Sequence, residues 1–240
     1  MSWIVVGGLA ALGALFADRP SSEALHGRGV LVGATPARIP LSPVAPGAVC
    51  VTKGALIGGR SVDVPTFRGV ALQTSGDAGA LGFRYRGQSR EVRALASGQL
   101  RRQIGLKLRA ANGCNLVYVM WRFDPGPQIE VSIKVNPGMR VHRECGVRGY
   151  QKLRHQYQRP VSAPREGAVH WMQAEIVGDQ LLAWIDGQLV WSGTLPPTAR
   201  AISGPSGIRS DNIAYDVVGL FAPIGYGAVD PHGCVAGGED

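Results

Sequence analysis

Hydrophobic and polar positions alternate with a period of two through the middle and end of the chain. Gly69 to Gln73 (GVALQ), Gln103 to Ala110 (QIGLKLRA), Asn115 to Phe123 (NLVYVMWRF) and Gln128 to Val135 (QIEVSIKV) alternate or run apolar at strand length, as half-buried or fully buried strands do. Asn112-Gly113 lies between two of these runs and predicts a tight hairpin. The sharpest local signal is Asp186-Gly187, flanked by Leu181 to Ile185 and Gln188 to Trp191. A two-residue turn there pairs Ile185 with Gln188, Trp184 with Leu189 and Leu182 with Trp191. That register places Leu182, Trp184, Leu189 and Trp191 on one face and Ala183, Ile185 and Val190 on the other. Both faces are apolar, so the hairpin is either covered on both sides or presents an aromatic platform. Ile213 to Phe221 supplies a final strand. The pattern predicts an all-β domain of two antiparallel sheets packed face to face.

Upstream the pattern changes. Residues 21–65 are rich in Pro, Gly and Ala, and Pro36, Pro40, Pro43 and Pro46 exclude a helix there. The segment reads as an extended connector with short edge strands. Before it, Met1 to Ala17 carries no charge, and Trp3 to Ala17 is apolar apart from its glycines. As a helix this stretch would be about 25 Å long, the short end of what crosses a bilayer. No Lys or Arg precedes it, and Leu15 and Ala17 make a poor cleavage site, so an uncleaved single-pass membrane anchor over residues 1–20 is expected rather than a removed signal.

Composition narrows the class. Hydrophobic residues make up 45% of the 240 and charged residues 18%, which excludes a disordered chain. Thirty-four glycines and sixteen prolines without a three-residue period exclude collagen and fit many short strands joined by turns. The net charge of +8 is unevenly spread. Residues 84–109 and 134–165 each hold eight Lys or Arg and one acid, whereas residues 166–240 hold nine acids and two bases. A basic side of this kind suits anionic lipid headgroups or an acidic partner, or it merely solvates strand faces. No nucleic-acid motif accompanies it. Arg84, Arg86, Arg101 and Arg102 are its candidate contact residues.

Four cysteines, Cys50, Cys114, Cys145 and Cys234, match no zinc or haem spacing. Their even number fits two disulfides, with four buried thiols as the alternative, and Cys145 is expected to bridge to Cys114. Arg19, Arg28 and Arg38 after the apolar segment would hold the domain in the cytoplasm, whereas disulfides favour a periplasmic or extracellular side. The periplasmic or extracellular side is the expectation taken forward. The segment Cys145 to Arg165 has few aliphatics and reads as a long loop, with Tyr150 and Tyr157 suited to a protein or sugar surface.

The run HWMQAEIVGDQLLAWIDGQLVWSG and the following GPSGIRSDNIAYDVVGLFAP resemble the closing strands of concanavalin A-like lectin/glucanase domains. The matching residues are Trp171, Glu175, Asp186, Gly187, Gly204, Gly207, Arg209, Asp211 and Asn212. The resemblance covers residues 66–224, leaves 225–240 as a C-terminal tail, and implies a jelly-roll β-sandwich. Glycoside hydrolases of this group carry several acids on one strand. Here Glu130 stands with Ser132 and Lys134 at the next same-face positions, and Glu144, Glu166 and Glu175 are isolated. Asp211 and Asn212 are expected to form a turn before the last strand rather than a calcium site.

No catalytic set, metal site or cofactor motif emerges, and a non-enzymatic role is expected. The leading expectation is a membrane-anchored accessory subunit whose sandwich stabilises a larger assembly, respiratory or photosynthetic for example. The alternatives are a lectin-like carbohydrate-binding module, with Trp184, Trp191 or the tyrosines stacking on sugar, and a glycosidase drawing carboxylates from separate strands.

Overall fold

The computed structural model describes residues 39–225. Thirteen strands run in chain order as β1 (Ser42–Pro43), β2 (Val49–Lys53), β3 (Ser61–Ala71), β4 (Ala78–Gln88), β5 (Gln103–Asn112), β6 (Asn115–Arg122), β7 (Gln128–Val135), β8 (Gln151–Lys152), β9 (Tyr157–Gln158), β10 (Val169–Val177), β11 (Gln180–Ile185), β12 (Gln188–Thr194) and β13 (Gly207–Ala222). All pairings are antiparallel. The expected anchor over residues 1–20 lies outside the described residues, as does the tail from residue 226 with Cys234. Among the described residues, no helix is long and apolar enough to cross a membrane.

One strand joins the two layers. The first part of β13, Gly207–Asp211, pairs with β5, and its later part, Ile213–Phe221, pairs with β4. Between and beyond them Asn212 adopts a left-handed φ of 55°, and the register slips at Ala214/Tyr215 and Val217/Gly219. Such bulges bend and twist a strand. Here they turn the ladder from a front layer, β2-β3-β13-β5-β6-β7-β8, into a back layer, β13-β4-β10-β11-β12-β9. The expected all-β arrangement is met in this curled antiparallel sheet.

The core lies between the layers. Leu106, Val119 and Val131 of the front strands and Leu81, Met172 and Val190 of the back strands belong to one buried cluster. Phe83 of β4 meets Trp121 of β6 edge-on at 6.1 Å, and Tyr85 meets Phe123 at 5.4 Å. Gln158 Nε2 donates to the Ile129 carbonyl and Trp121 Nε1 donates to that of Ser162, both at 3.1 Å. The segment read as a long loop is thus a strap. It adds β8 to β7 and then β9 to β12, closing that side of the sandwich.

Several expectations shift. The sheet begins at Ser42, and β3 starts at Ser61, so the second half of the expected connector pairs into the same sheet. The first hairpin closes on Asn112 opposite Asn115, which makes Gly113-Cys114 the turn, one residue later than expected. Asp211 and Asn212 lie inside β13 rather than in a turn before it. In the Asp186-Gly187 hairpin, Ile185 does pair with Gln188 and Trp184 with Leu189, but a bulge then sets Ala183 opposite Trp191. Val190 and Trp191 both enter the core, and Trp184 faces the other way.

Candidate functional site

A groove of about 510 Å³ lies on the outer face of the front layer. Its floor follows from register. In one row across the strands stand Glu130, Met120, Gly105, Arg209, Arg68 and Lys53. The next row on one side holds Arg122, Gln103, Asp211 and Thr66, and on the other Lys152, Ser132, Tyr118 and Lys107. Alternate positions on the same strands, among them Ile104, Leu106, Val119 and Val131, point into the core. The period of two therefore builds a hydrophobic core and a polar floor from the same strands.

The centre of the floor is an ionic cluster. Arg209 and Asp211, two residues apart on β13, are 6% and 0% exposed. Arg209 Nε donates to Asp211 Oδ2 at 3.0 Å, and Gln103 Nε2 donates to the same oxygen at 2.6 Å. Burial would pull the guanidinium down, but Asp211 and then Tyr150 and Tyr118 hold it well above the usual arginine range, so it stays charged. Its Nη1 donates to the Tyr150 hydroxyl at 3.3 Å, and its guanidinium carbon lies 4.9 Å above the Tyr118 ring. Tyr150 stacks on Tyr118 with centroids 5.9 Å apart, and Lys134 Nζ sits 4.7 Å from the Tyr150 centroid. The tyrosine pair is thus braced by cations.

Two features form the walls. Asn212 accepts from Arg93 N at 2.8 Å through Oδ1 and donates from Nδ2 to the carbonyls of Arg93 and Arg101, both at 2.9 Å. One side chain in the bulge thereby pins both feet of the 93–101 loop. Opposite, a disulfide joins Cys114 to Cys145. It ties the short helix α1 (His142–Cys145) to the Gly113-Cys114 turn, and His142 and Tyr150 line the groove beside it. Cys50 is not a free thiol either, and its expected partner Cys234 lies outside the described residues.

Glu130 is the groove's exposed-side carboxylate, and three cations hold it. Arg101, Lys152 and Arg122 lie 2.8, 3.1 and 3.3 Å from its oxygens. Burial alone would raise this carboxyl, but hydrogen bonds from Arg101 and Lys152 outweigh it and keep the group below the usual glutamate range. A depressed carboxylate contributes stability that is present above its unfolded pKa, about 4.3, and is lost as pH falls through the lower folded value. Glu130→Gln is therefore expected to melt below the parent at pH 7, and the deficit should close below about pH 4 in a series of melting curves. A group held ionised in this way is poorly suited to act as a general acid. Glu130 and Asp211 also sit on β7 and β13 with β6 and β5 between them. Three strand spacings, about 14 Å, exceed the ~5–9.5 Å of paired glycosidase carboxylates.

Neither a family model nor a curated protein matches the sequence. Solved structures do. A carbohydrate-binding module from Bacillus subtilis is similar at 11% identity over 74% of this chain and 94% of that chain, with a TM-score of 0.47. A galectin from Caenorhabditis elegans is similar at 8% identity over 65% and 87%, TM-score 0.38, and a transglycosylase in complex with NAG at 12% over 79% and 85%, TM-score 0.45.

Of the residues singled out from sequence, Tyr150 and Arg101 line the groove. Tyr157 is on β9, exposed and away from Tyr150. Arg84 donates to the Gly167 carbonyl at 2.8 Å, Arg86 lies 3.4 Å from Asp216, and Arg102 pairs with Asp124. Trp191 is a core residue and Trp184 is buried at 8% exposure, so neither offers an open stacking face. Among the described residues, no group of His, Cys, Asp and Glu is arranged to hold a metal. Sequence reading missed Arg68, Arg209, Gln103, Tyr118 and Lys152. Their signal was polar residues at alternate positions of strands whose other positions are all apolar, as at Gln103 and Lys107 of β5.

Proposed function

We propose that this domain is a lectin-like carbohydrate-binding module and that the front-layer groove is its site. One observation carries the reading. A partly exposed tyrosine, Tyr150, is held in place by stacking on buried Tyr118, and fixed hydrogen-bonding groups surround it in a groove of about 510 Å³. That volume is within the ~300–1,000 Å³ usual for small-ligand sites, and a rigid aromatic beside convergent polar groups matches a sugar's apolar faces and hydroxyl rim. Gln103 Oε1 strengthens the reading, because it is a buried acceptor with no donor among the described residues, on a side chain that lines the groove. A buried acceptor left unpaired is costly, and a ligand hydroxyl would satisfy it.

The reading takes the place of the membrane-assembly subunit as the leading function, since that expectation drew on residues 1–20. The test is an array of neutral and acidic oligosaccharides probed with the parent and with Tyr150→Ala. Binding by the parent is expected, weakened about tenfold or more in the variant, equal to about 1.4 kcal/mol. Full binding by Tyr150→Ala, or no bound glycan at all, would overturn the assignment.

A further inference from the structure

We infer that a Cys50–Cys234 disulfide folds residues 226–240 back over the β2 end of the groove, where Glu239 and Asp240 act as an internal anionic occupant that a ligand must displace. The first support is covalent. Of the four cysteines, Cys114 and Cys145 are bonded to each other, and Cys50 is disulfide-bonded as well. Cys234 is the partner that remains within the chain.

Register fixes the face on which that bond opens. Cys50 stands opposite Val70, Val70 opposite Gly207, Gly207 opposite Lys107 and Lys107 opposite Tyr118. The row is unbroken from β2 to β6, so Cys50 faces the groove side of the front layer as Tyr118 does. Both belong to one apolar cluster, with Tyr150 packed against it. Side chains that point away from the core are buried only under a cover. Here Cys50, Val70 and Lys107 are 8, 4 and 0% exposed. A segment bonded at Cys50 lies where that cover is needed.

Reach and charge agree. The described residues end beside β2, with Gly225 N donating to the Gln73 carbonyl and Leu72 N to that of Ala48. The nine residues from Gly225 to Cys234 extend to about 30 Å, ample for a return to Cys50. Glu239 follows Cys234 by five residues, a reach of about 17 Å, against about 14 Å for the three strand spacings from β2 to β5. Residues 226–240 carry three acids, Asp230, Glu239 and Asp240, and no Lys or Arg. The groove lining holds six basic side chains, Lys53 at this end among them, and one carboxylate, Glu130. That excess belongs to the lining as a whole, whichever contacts its members make, and a concave wall focuses its field on an acidic segment. The tether makes the contact intramolecular, at an effective concentration on the order of millimolar. The fold-back stands by itself, whereas competition with a ligand rests on the glycan-binding reading.

The experiment uses the full chain under non-reducing conditions. Peptide mapping is expected to recover Cys50 joined to Cys234, and Cys50 joined to any other cysteine would refute the inference. A carbodiimide then condenses carboxylates with amines in direct contact, with the Glu130–Lys152 pair, 3.1 Å apart, as internal control. The peptide bearing Glu239 and Asp240 is expected to cross-link to a lysine of the groove face, Lys53, Lys107 or Lys152. No such product in a sample where the control forms would sink the fold-back. On the glycan array, Glu239→Gln/Asp240→Asn is expected to bind about threefold or more tighter than the parent, because the occupied fraction of the groove falls. Equal affinity of the two proteins would overturn the competition. If neither protein binds a glycan while the cross-link forms, the glycan-binding reading fails and the fold-back is upheld.

Discussion

Replacing Arg209 with leucine is expected to lower the melting temperature by about 10 °C. The side chains of Arg209 and Asp211 are 8% and 0% exposed. Removing the guanidinium strands the Asp211 carboxylate in the protein with only the Gln103 amide as donor. Breaking one side of a buried pair in this way costs about 3–5 kcal/mol. In a domain of this size each kcal/mol moves the melting temperature by about 2–4 °C. The double variant Arg209→Leu/Asp211→Leu removes the stranded charge and is expected to recover much of the loss, because a buried pair seldom outperforms well-packed apolar side chains. Calorimetric melting of the single and double variants reads the coupling directly. If the double variant melted as low as the single one, the two charges would not be acting as a pair.

That cluster shows where sequence reading stops. Arg209 and Asp211 are separated by one residue, so on a strand they share a face. The run SDN, however, is turn chemistry by composition and predicts a turn. What overrides it is β3 on one edge and β5 on the other, which pair with Arg209 and Asp211 from both sides. The same non-local logic governs the groove as a whole. Arg68, Gln103, Tyr118, Glu130 and Arg209 come from five strands, and sheet register alone brings them together. No spacing along the chain records that. Strand β4 is masked for a different reason. The outward positions of its first half, Ala78, Ala80 and Gly82, are small, so the apolar–polar alternation begins only at Phe83-Arg84. The small side chains are required: a Cβ on Gly82 would lie 2.6 Å from the Trp171 ring. What was legible was local, namely the existence of several strands and the Asp186-Gly187 turn.

The hairpin at Asp186-Gly187 is the place where a correct local reading gave a wrong face, and the error predicts an experiment. Uninterrupted pairing would put Trp184 and Trp191 side by side, and the two substitutions to alanine would then cost about the same. The bulge instead sends Trp191 into the core at 1% exposure and leaves Trp184 on the opposite face, outside the main core cluster. Alternation could not reveal this, because both faces of the hairpin are apolar and a one-residue slip leaves the pattern intact. Trp191→Ala is expected to cost about 3–5 kcal/mol, the range for emptying a large aromatic site. Trp184→Ala should cost about half as much, with chemical denaturation as the readout. Gly193 supplies an independent check. A Cβ there would meet the Trp191 ring at 2.5 Å and the Arg154 carbonyl at 2.8 Å. The ring is fixed by the core and the carbonyl by the strap, so neither yields easily. Gly193→Ala should therefore destabilise by about 1–3 kcal/mol in the parent. In a Trp191→Ala background part of that cost should disappear, since the ring that crowds the new methyl is gone. Equal costs in the two backgrounds would mean that Trp191 does not lie across Gly193, and the bulge would lose its packing rationale.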